Sequence, residues 1–423
     1  MRRSELHFDA VVIGAGTAGL VAGTRLAQGG AQVCVLAKGV GSTHLAPATI
    51  DVLGYAPDRV PAPRPALEQL IAARPDHPYA LLGTDVVGEA LSWFAEIVPR
   101  GPLPGYVYGG SLEHNQLLPT AVGALRPSAL VPETMANGEA SRLERVCIVG
   151  TPALRDFHPS LCAANLERAG IEARAVSVDV KLDRADMNTL GLARRFDDEK
   201  WRRQFCSELS LTLRAEEAVG LPAMLGLRDP HEVLADVEHR LGRRVFEIPT
   251  LPPSVPGMRL YEILRSALRA AGGRLVLGAE VVSCDREGDR VTAVSTHAAG
   301  RDLTYLAPWF VLASGGFASG AIELDSHWVT HERVLGLPLR GVPAEGEPRF
   351  TGSYFDEQPM ARVGVAVDSD LRSEGAENVL VAGAALPGAI PWREGSGEGI
   401  ALASGYRAAQ VAGAQVTPTA ATV

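Results

Sequence analysis

Gly14, Gly16 and Gly19 stand in the spacing G-x-G-x-x-G, and the chemistry such a turn serves is the cradling of a pyrophosphate. Gly14 makes the turn, Gly16 admits the backbone to the anion, and Gly19 lets the following helix lie close on the strand. Two further glycine-rich strand ends lie far down the chain. Ser314, Gly315 and Gly316 follow the apolar run 309–312, and Gly383, Gly397 and Gly399 lead from a buried strand into a terminal helix. A nicotinamide enzyme needs one such fingerprint. Three of them, spread over the whole chain, point to one long cofactor that touches one sheet several times, as a flavin does. The late helix N-terminus supplies a positive dipole for the pyrimidine ring of a reduced flavin. Hydride or electron transfer through a flavin is the leading chemistry.

The elements that must position these turns are legible around them. Residues 8–13 read as a buried strand, 20–28 as an amphipathic helix and 32–36 as a second strand, a βαβ unit of about thirty residues. An Asp or Glu usually ends the second strand and takes the ribose hydroxyls of an adenosine; here Ala37 and Lys38 stand instead. The pocket therefore prefers phosphate or does not hold adenosine in the usual way. The loop 39–49, with Ser42 and Thr43, lies at the carboxyl ends of the strands, where open α/β sheets bind ligands. Residues 57–78 are proline-rich and predicted extended, with a short helix at 66–73, and a helix follows at 86–98. Residues 99–132 read as loop, with Tyr106 and Tyr108 able to line a pocket or simply to pack. Residues 145–150, a helix at 159–169 and a strand at 172–178 form a second βαβ unit without the glycine turn, so it is read as structural. Helices are expected at 186–196, 198–216 and 230–241, with 218–225 returning toward the core. A proline hinge at 250–260 leads into a helix at 260–271, then strands at 274–282 and 291–295, the first bringing Val282 into the cofactor-binding set. The tail 416–423 is predicted disordered.

The fold class that follows is α/β: a Rossmann-like flavin-binding domain, discontinuous over 1–56 and 257–423, with an inserted second α/β domain over 57–256. A chain of 423 residues has room for two or three packed units. Its 46% hydrophobic and 21% charged residues are those of a soluble globular protein, and a net charge of −9 argues against nucleic acid. The five cysteines are scattered with no C-x-x-C, which argues against an iron–sulfur cluster or structural zinc held by this chain alone. No run of about eighteen apolar residues occurs, so a membrane span is not expected.

Several stretches carry a family resemblance. Residues 8–38, the run from Ser42 to Leu53, His77-Pro78-Tyr79-Ala80-Leu81-Leu82-Gly83, residues 146–150, Leu251-Pro252-Pro253-Ser254-Val255-Pro256-Gly257-Met258-Arg259-Leu260, residues 312–315 and the segment 383–406 together resemble the B subunit of anaerobic glycerol-3-phosphate dehydrogenase. More broadly the chain resembles the fumarate reductase and succinate dehydrogenase flavoproteins. The resemblance implies oxidation of sn-glycerol 3-phosphate to dihydroxyacetone phosphate, with electrons passed to quinone through two partners: a catalytic A subunit that bears FAD, and a membrane-associated C subunit that holds iron–sulfur clusters. It implies FMN as cofactor, with FAD the alternative, and a cytoplasmic location at the inner face of the membrane through those partners. The chain departs from the family near its end, with Leu386-Pro387-Gly388-Ala389-Ile390-Pro391 in place of Leu-Gly-Gly-x-Asp-Pro and Gly395-Ser396-Gly397-Glu398-Gly399 in place of Gly-Cys-Gly-Gly-Gly.

Of the residues that act, His44 stands where the superfamily places a flavin-adjacent histidine. Arg259 and Arg340 are candidates for a substrate or flavin phosphate, because guanidinium binds phosphate bidentately, although surface ion pairing would also account for them. A general base is sought among His77 and His158. Two other readings stay open: a stand-alone flavin oxidoreductase of the fumarate reductase or ketosteroid dehydrogenase type, and a non-catalytic flavin-fold scaffold.

Overall fold

Short strands that are apolar on both faces fold as a parallel sheet with helices on either side. In the computed structural model, which describes residues 4–179, 186–215, 217–298 and 301–415, the main sheet has six strands. Their order is Arg274–Leu277, Val33–Ala37, Ala10–Ile13, Trp309–Leu312, Ala376–Val381 and Arg372–Ser373. The first five run parallel and the short last one antiparallel. Val11 is in register with Cys34 on one side and Phe310 on the other, so the centre of the sheet joins the two ends of the sequence. The parallel direction puts Gly14, Lys38, Ser314 and Gly383 at one edge, each within two residues of its strand's carboxyl end.

Helix Thr17–Gln28 follows directly, with Gly16 at its N-cap, and packs on Val255–Ala270 and on the terminal helix Gly397–Gly413. The first and last of these helices meet through glycine: a Cβ at Gly405 would stand 2.3 Å from the carbonyl oxygen of Ala18. Arg25 lies over the ring of Tyr406 at 4.7 Å, and Trp93 Nε1 donates to Gln28 Oε1 at 3.1 Å.

A second sheet, wholly parallel, runs in the order Val245–Ile248, Ala218–Pro222, Arg145–Gly150, Glu172–Ser177, with helix Pro159–Arg168 crossing between the last two. The expected return of 218–225 toward the first core thus ends in this sheet instead. Its hydrophobic cluster draws on 143–248 and is separate from that of the main sheet.

The short helix expected at 66–73 is present and begins earlier, as Pro63–Ala73, and the next helix starts at Pro78, because Pro63 and Pro78 sit in first turns, where proline's missing N–H costs nothing. Helices Pro63–Ala73 and Pro78–Ile97 pack Leu67, Tyr79 and Phe94 into the first cluster, so the second cluster begins at 143 and not at 57. Residues 99–132 pair as short strands, Tyr108–Gly110 with Leu130–Pro132 and Gln116–Pro119 with Leu125–Ser128.

The expected strand over 274–282 breaks at Gly278, whose φ is 78°. Arg274–Leu277 stays in the main sheet, while Val281–Glu287 joins a separate sheet with Arg290–Ala298, Arg301–Leu306 and Ser4–His7. The expected proline hinge is the first turn of helix Val255–Ala270, begun by Ser254, whose hydroxyl accepts from the Gly257 N–H. Residues 416–423 lie outside those described.

Candidate flavin site

The three glycines of the first turn do different work. Gly14 has φ 115°, and a Cβ there would stand 2.2 Å from the Ala313 carbonyl oxygen; at Gly19 it would stand 2.0 Å from that of Gly14. These two allow the turn to close on the neighbouring strand and on its own helix. Gly16 is different, because a Cβ there meets nothing within 4 Å. It faces open space at the positive end of the helix, where an anion fits. The other segments close around the same edge. A Cβ at Gly316 would lie 2.2 Å from Ala384 O, and one at Gly383 would lie 3.0 Å from Ala18 Cβ. Gly315 has φ 94°; the Gly383 N–H donates to Ser404 Oγ at 2.8 Å. Gly397 lies beside Pro391, and the Gly399 N–H donates to Asp51 O at 3.0 Å.

Each glycine segment also carries one buried polar atom without a hydrogen-bond partner: Thr17 Oγ1, Ser314 Oγ and Glu398 Oε2. Leaving such a group unpaired costs about 1–3 kcal/mol, which a polar ligand laid across the three segments relieves. Glu398 is half-buried as a residue while Oε2 itself is shut off from solvent. Burial pushes its pKa up to about 7, and the nearby Asp51 adds to the shift; the Thr17 hydroxyl and Arg126 act against it. Asp51 is held by Thr49 Oγ1 at 2.8 Å, Ser128 Oγ at 2.6 Å and the Arg126 guanidinium. These donors satisfy the Asp51 carboxylate and leave that of Glu398 without a counter-ion of its own.

The loop after the second strand forms a short 3-10 turn, Gly41–Leu45, with Ser42 exposed and Thr43 buried. His44 meets the Tyr261 ring edge-on at 4.9 Å between centroids, and burial lowers its pKa, favouring the neutral imidazole. The Tyr261 hydroxyl is another buried group without a partner. Ser254 fastens this loop: its N–H donates to His44 O at 3.0 Å and its hydroxyl to Ala46 O at 2.6 Å. Gly257 lets helix and loop touch, since a Cβ there would stand 2.1 Å from Thr43 O.

The remaining sequence candidates lie elsewhere. Arg259 is fully buried and spent: Nη1 and Nη2 donate to Glu247 at 2.6 and 3.0 Å, and Nε and Nη2 to Gly226 O at 3.0 and 2.6 Å. It is a clamp between helix Val255–Ala270 and the second sheet, leaving no face for a phosphate. Arg340 is a half-exposed surface residue ion-paired with Glu374. His77 is buried, accepting from the Tyr79 N–H at 3.1 Å and meeting Glu394 Oε2 at 3.1 Å, which in turn accepts from Ser396 Oγ at 2.9 Å. It therefore holds the third glycine segment in place and has no nitrogen free to act as a base. His158 is exposed at the N-cap of Pro159–Arg168, in the second sheet's layer. Val282 is 57% exposed outside the main sheet. Lys38 pairs with Glu280 at 3.0 Å on the surface. Sequence reasoning misses Thr17, Asp51, Arg126 and Tyr261; for Thr17, its place directly after Gly16 is a usable signal, while nothing in the sequence marks Arg126.

Comparison with known proteins places this geometry. The FAD binding domain family matches residues 9–400. The B subunit of anaerobic glycerol-3-phosphate dehydrogenase from Pectobacterium carotovorum subsp. carotovorum (strain PC1) is 32% identical, over 96% of this chain and 98% of its own. The chain belongs to that B-subunit family. Another relative, a probable B subunit of anaerobic glycerol-3-phosphate dehydrogenase from Halobacterium salinarum, is 33% identical over 96% of this chain and 98% of its own. Among solved structures, 3-ketosteroid delta1-dehydrogenase from Sterolibacterium denitrificans aligns over 97% of this chain and 100% of its own, at 12% identity and a TM-score of 0.47. This member of the B-subunit family is part of a flavin-binding oxidoreductase, and the open Gly16 turn and the three unpaired polar atoms suit a flavin.

Proposed function

We infer that the chain bears the flavin of an assembly that oxidises sn-glycerol 3-phosphate to dihydroxyacetone phosphate and passes the electrons through companion chains to quinone. The observation that carries this reading is the meeting of three unpaired buried polar atoms, one from each glycine segment, at the carboxyl edge of the parallel sheet, in a chain of the B-subunit family. A bound flavin supplies the hydride or electron acceptor. The chain's own residues would bind and orient it: the Gly16 turn, helix Thr17–Gln28 and the Ser314 strand end would hold the pyrophosphate, and the N-terminus of helix Gly397–Gly413 would offer its positive dipole to the ring. Arg126, half-exposed and ion-paired with Asp51, is the cation nearest Glu398 that acts on its carboxyl. Among the described residues no helix is long and apolar enough to cross a membrane.

The flavin itself we read as FAD. The resemblance implies FMN, with which the missing acid at Ala37 agrees, but the match to the FAD binding domain family over residues 9–400 supports FAD, and Glu280, just beyond strand Arg274–Leu277, brings a carboxylate to Lys38 at that strand's end. Ala279 N donates to Ala37 O at 3.0 Å and fixes the neighbouring turn there. On this reading Glu280 stands in for the acid missing at Ala37. Mass identification of the flavin released from the purified chain tests this part, and FMN alone would overturn it. Anaerobic addition of sn-glycerol 3-phosphate to the flavin-loaded assembly tests the reaction: bleaching of the oxidised flavin's visible absorbance is expected, and unchanged absorbance in the complete assembly refutes it.

A further inference from the structure

Glu398 stands at the start of helix Gly397–Gly413 and beside Thr17, at the start of helix Thr17–Gln28, so two positive helix ends converge on its carboxyl. Thr17 is 5% exposed and its hydroxyl acts on the Glu398 carboxyl, holding its pKa down, while neither Thr17 Oγ1 nor Glu398 Oε2 has any other hydrogen-bond partner. Both atoms belong to the edge where the three glycine segments meet. The groups around them are accounted for. Asp51 is saturated by Thr49, Ser128 and Arg126. The Tyr108 hydroxyl donates to Ala48 O at 2.9 Å and that of Tyr79 to Val52 O at 2.6 Å. Arg126, bound to Asp51, is the cation that acts on Glu398.

We propose that Glu398 takes up a proton when the flavin held against the three glycine segments is reduced, so that the redox state of the flavin and the protonation of this carboxyl are linked. The electrons come from the reductant and go to the flavin. Reduction of the flavin would take up its own proton from solvent to form an N–H bond on the flavin, in wild type and variant alike; the additional proton comes from solvent and forms an O–H bond on Glu398. Negative charge added at the helix ends raises the proton affinity of the neighbouring carboxylate, and by linkage the ionised carboxylate makes reduction harder. Burial already holds this carboxyl protonated to an unusually high pH, which places the effect near neutrality. The inference rests on flavin binding alone and not on the identity of the substrate.

The test is a spectroelectrochemical titration of the flavin-loaded full chain, wild type and Glu398→Gln, from pH 5.5 to 8.5. At pH 8 E398Q is reduced at a more positive potential than wild type, and the gap closes below pH 6, where both side chains are neutral. In weakly buffered solution at pH 7.5, wild type takes up more protons per flavin reduced than E398Q. A gap that is zero or constant across the range overturns the proposal, because a merely structural role shifts the potential without regard to pH. Should E398Q lose its flavin, Thr17→Val gives the second reading: removing the hydroxyl beside the carboxylate moves the bend in the potential to higher pH, and an unmoved bend overturns the proposal.

Discussion

Replacing Arg259 by methionine separates a structural clamp from a substrate ligand. In the native fold the Glu247 carboxylate accepts two bonds from Arg259 and one from the Leu225 N–H at 2.6 Å, and neither side chain reaches solvent. R259M leaves the carboxylate with a single donor and strips both guanidinium bonds from Gly226 O. Breaking a buried pair by removing one partner costs about 3–5 kcal/mol. At about 1.4 kcal/mol per tenfold, the unfolded fraction rises by a factor of roughly one hundred to a few thousand. Urea unfolding followed by tryptophan fluorescence measures the loss, with flavin content and the KM for sn-glycerol 3-phosphate read on whatever remains folded. Glu247→Gln added to R259M removes the stranded charge while keeping an acceptor for Leu225, so the double variant regains more than half of the lost stability. An R259M protein with an unchanged urea midpoint and a raised KM would refute this reasoning and return Arg259 to the phosphate.

Gly16→Ala meets open space and needs no strained backbone, so the flavin-free protein keeps its melting temperature within a few degrees while flavin retention falls at least tenfold; Gly19→Ala, whose Cβ would press on Gly14 O, loses stability as well. Glu398 has a folded pKa near 7 against an ordinary 4.5, so its contribution is intact below pH 4.5 and is lost as pH rises through 7. Flavin-free E398Q is therefore more stable than wild type at pH 8 by about 3 kcal/mol, and the advantage disappears near pH 4.5 in denaturant titrations at the two pH values. Burial pushes the Cys34 and Cys162 thiols up to about 12 and those of Cys147 and Cys206 up to about 11. Iodoacetamide at pH 8 accordingly labels the partly exposed Cys284 first, and early modification of Cys34 by mass spectrometry would contradict the packing.

The glycine turns were legible because their spacing reports a local need. Gly14 and Gly19 face backbone atoms near them in sequence or on the adjacent strand, and a short buried strand before them is visible in its valines. Half of the second parallel sheet was legible for the same reason, Arg145–Gly150 and Glu172–Ser177 alternating with a helix within about thirty residues, whereas the place of Ala218–Pro222 and Val245–Ile248 in it was not. The roles of Arg259 and His77 were not, since each is set by a partner on another element, Glu247 twelve residues before Arg259 and Glu394 at the far end of the chain, that no local pattern announces. The proline stretches misled because proline before a helix and proline within an extended run look alike until a cap is seen: Ser254 supplies one for Val255–Ala270 and His77 one for Pro78–Ile97. The particular Leu-Pro-Pro-Ser-Val stretch is explained by its fastening of the loop at His44 and Ala46, two hundred residues away.

The placement of Trp309–Leu312 between Ala10–Ile13 and Ala376–Val381 sets the order in which the protein can be made. The opening βαβ unit leaves the ribosome with one side of its central strand unpaired and waits for about 270 more residues before its neighbour exists. At roughly 5–20 residues per second that interval is about 15–55 s. During it an apolar edge of Ala10, Val11, Val12 and Ile13 is open to other chains, while the second sheet, with all four of its strands between 145 and 248, can close in the meantime. The cofactor site is the last part to be assembled, since Thr17, Ser314 and Glu398 come together only when nearly the whole described chain is present. Chaperone demand in the cell, and aggregation when synthesis is stalled between residues 37 and 309, are thus built into the strand order itself.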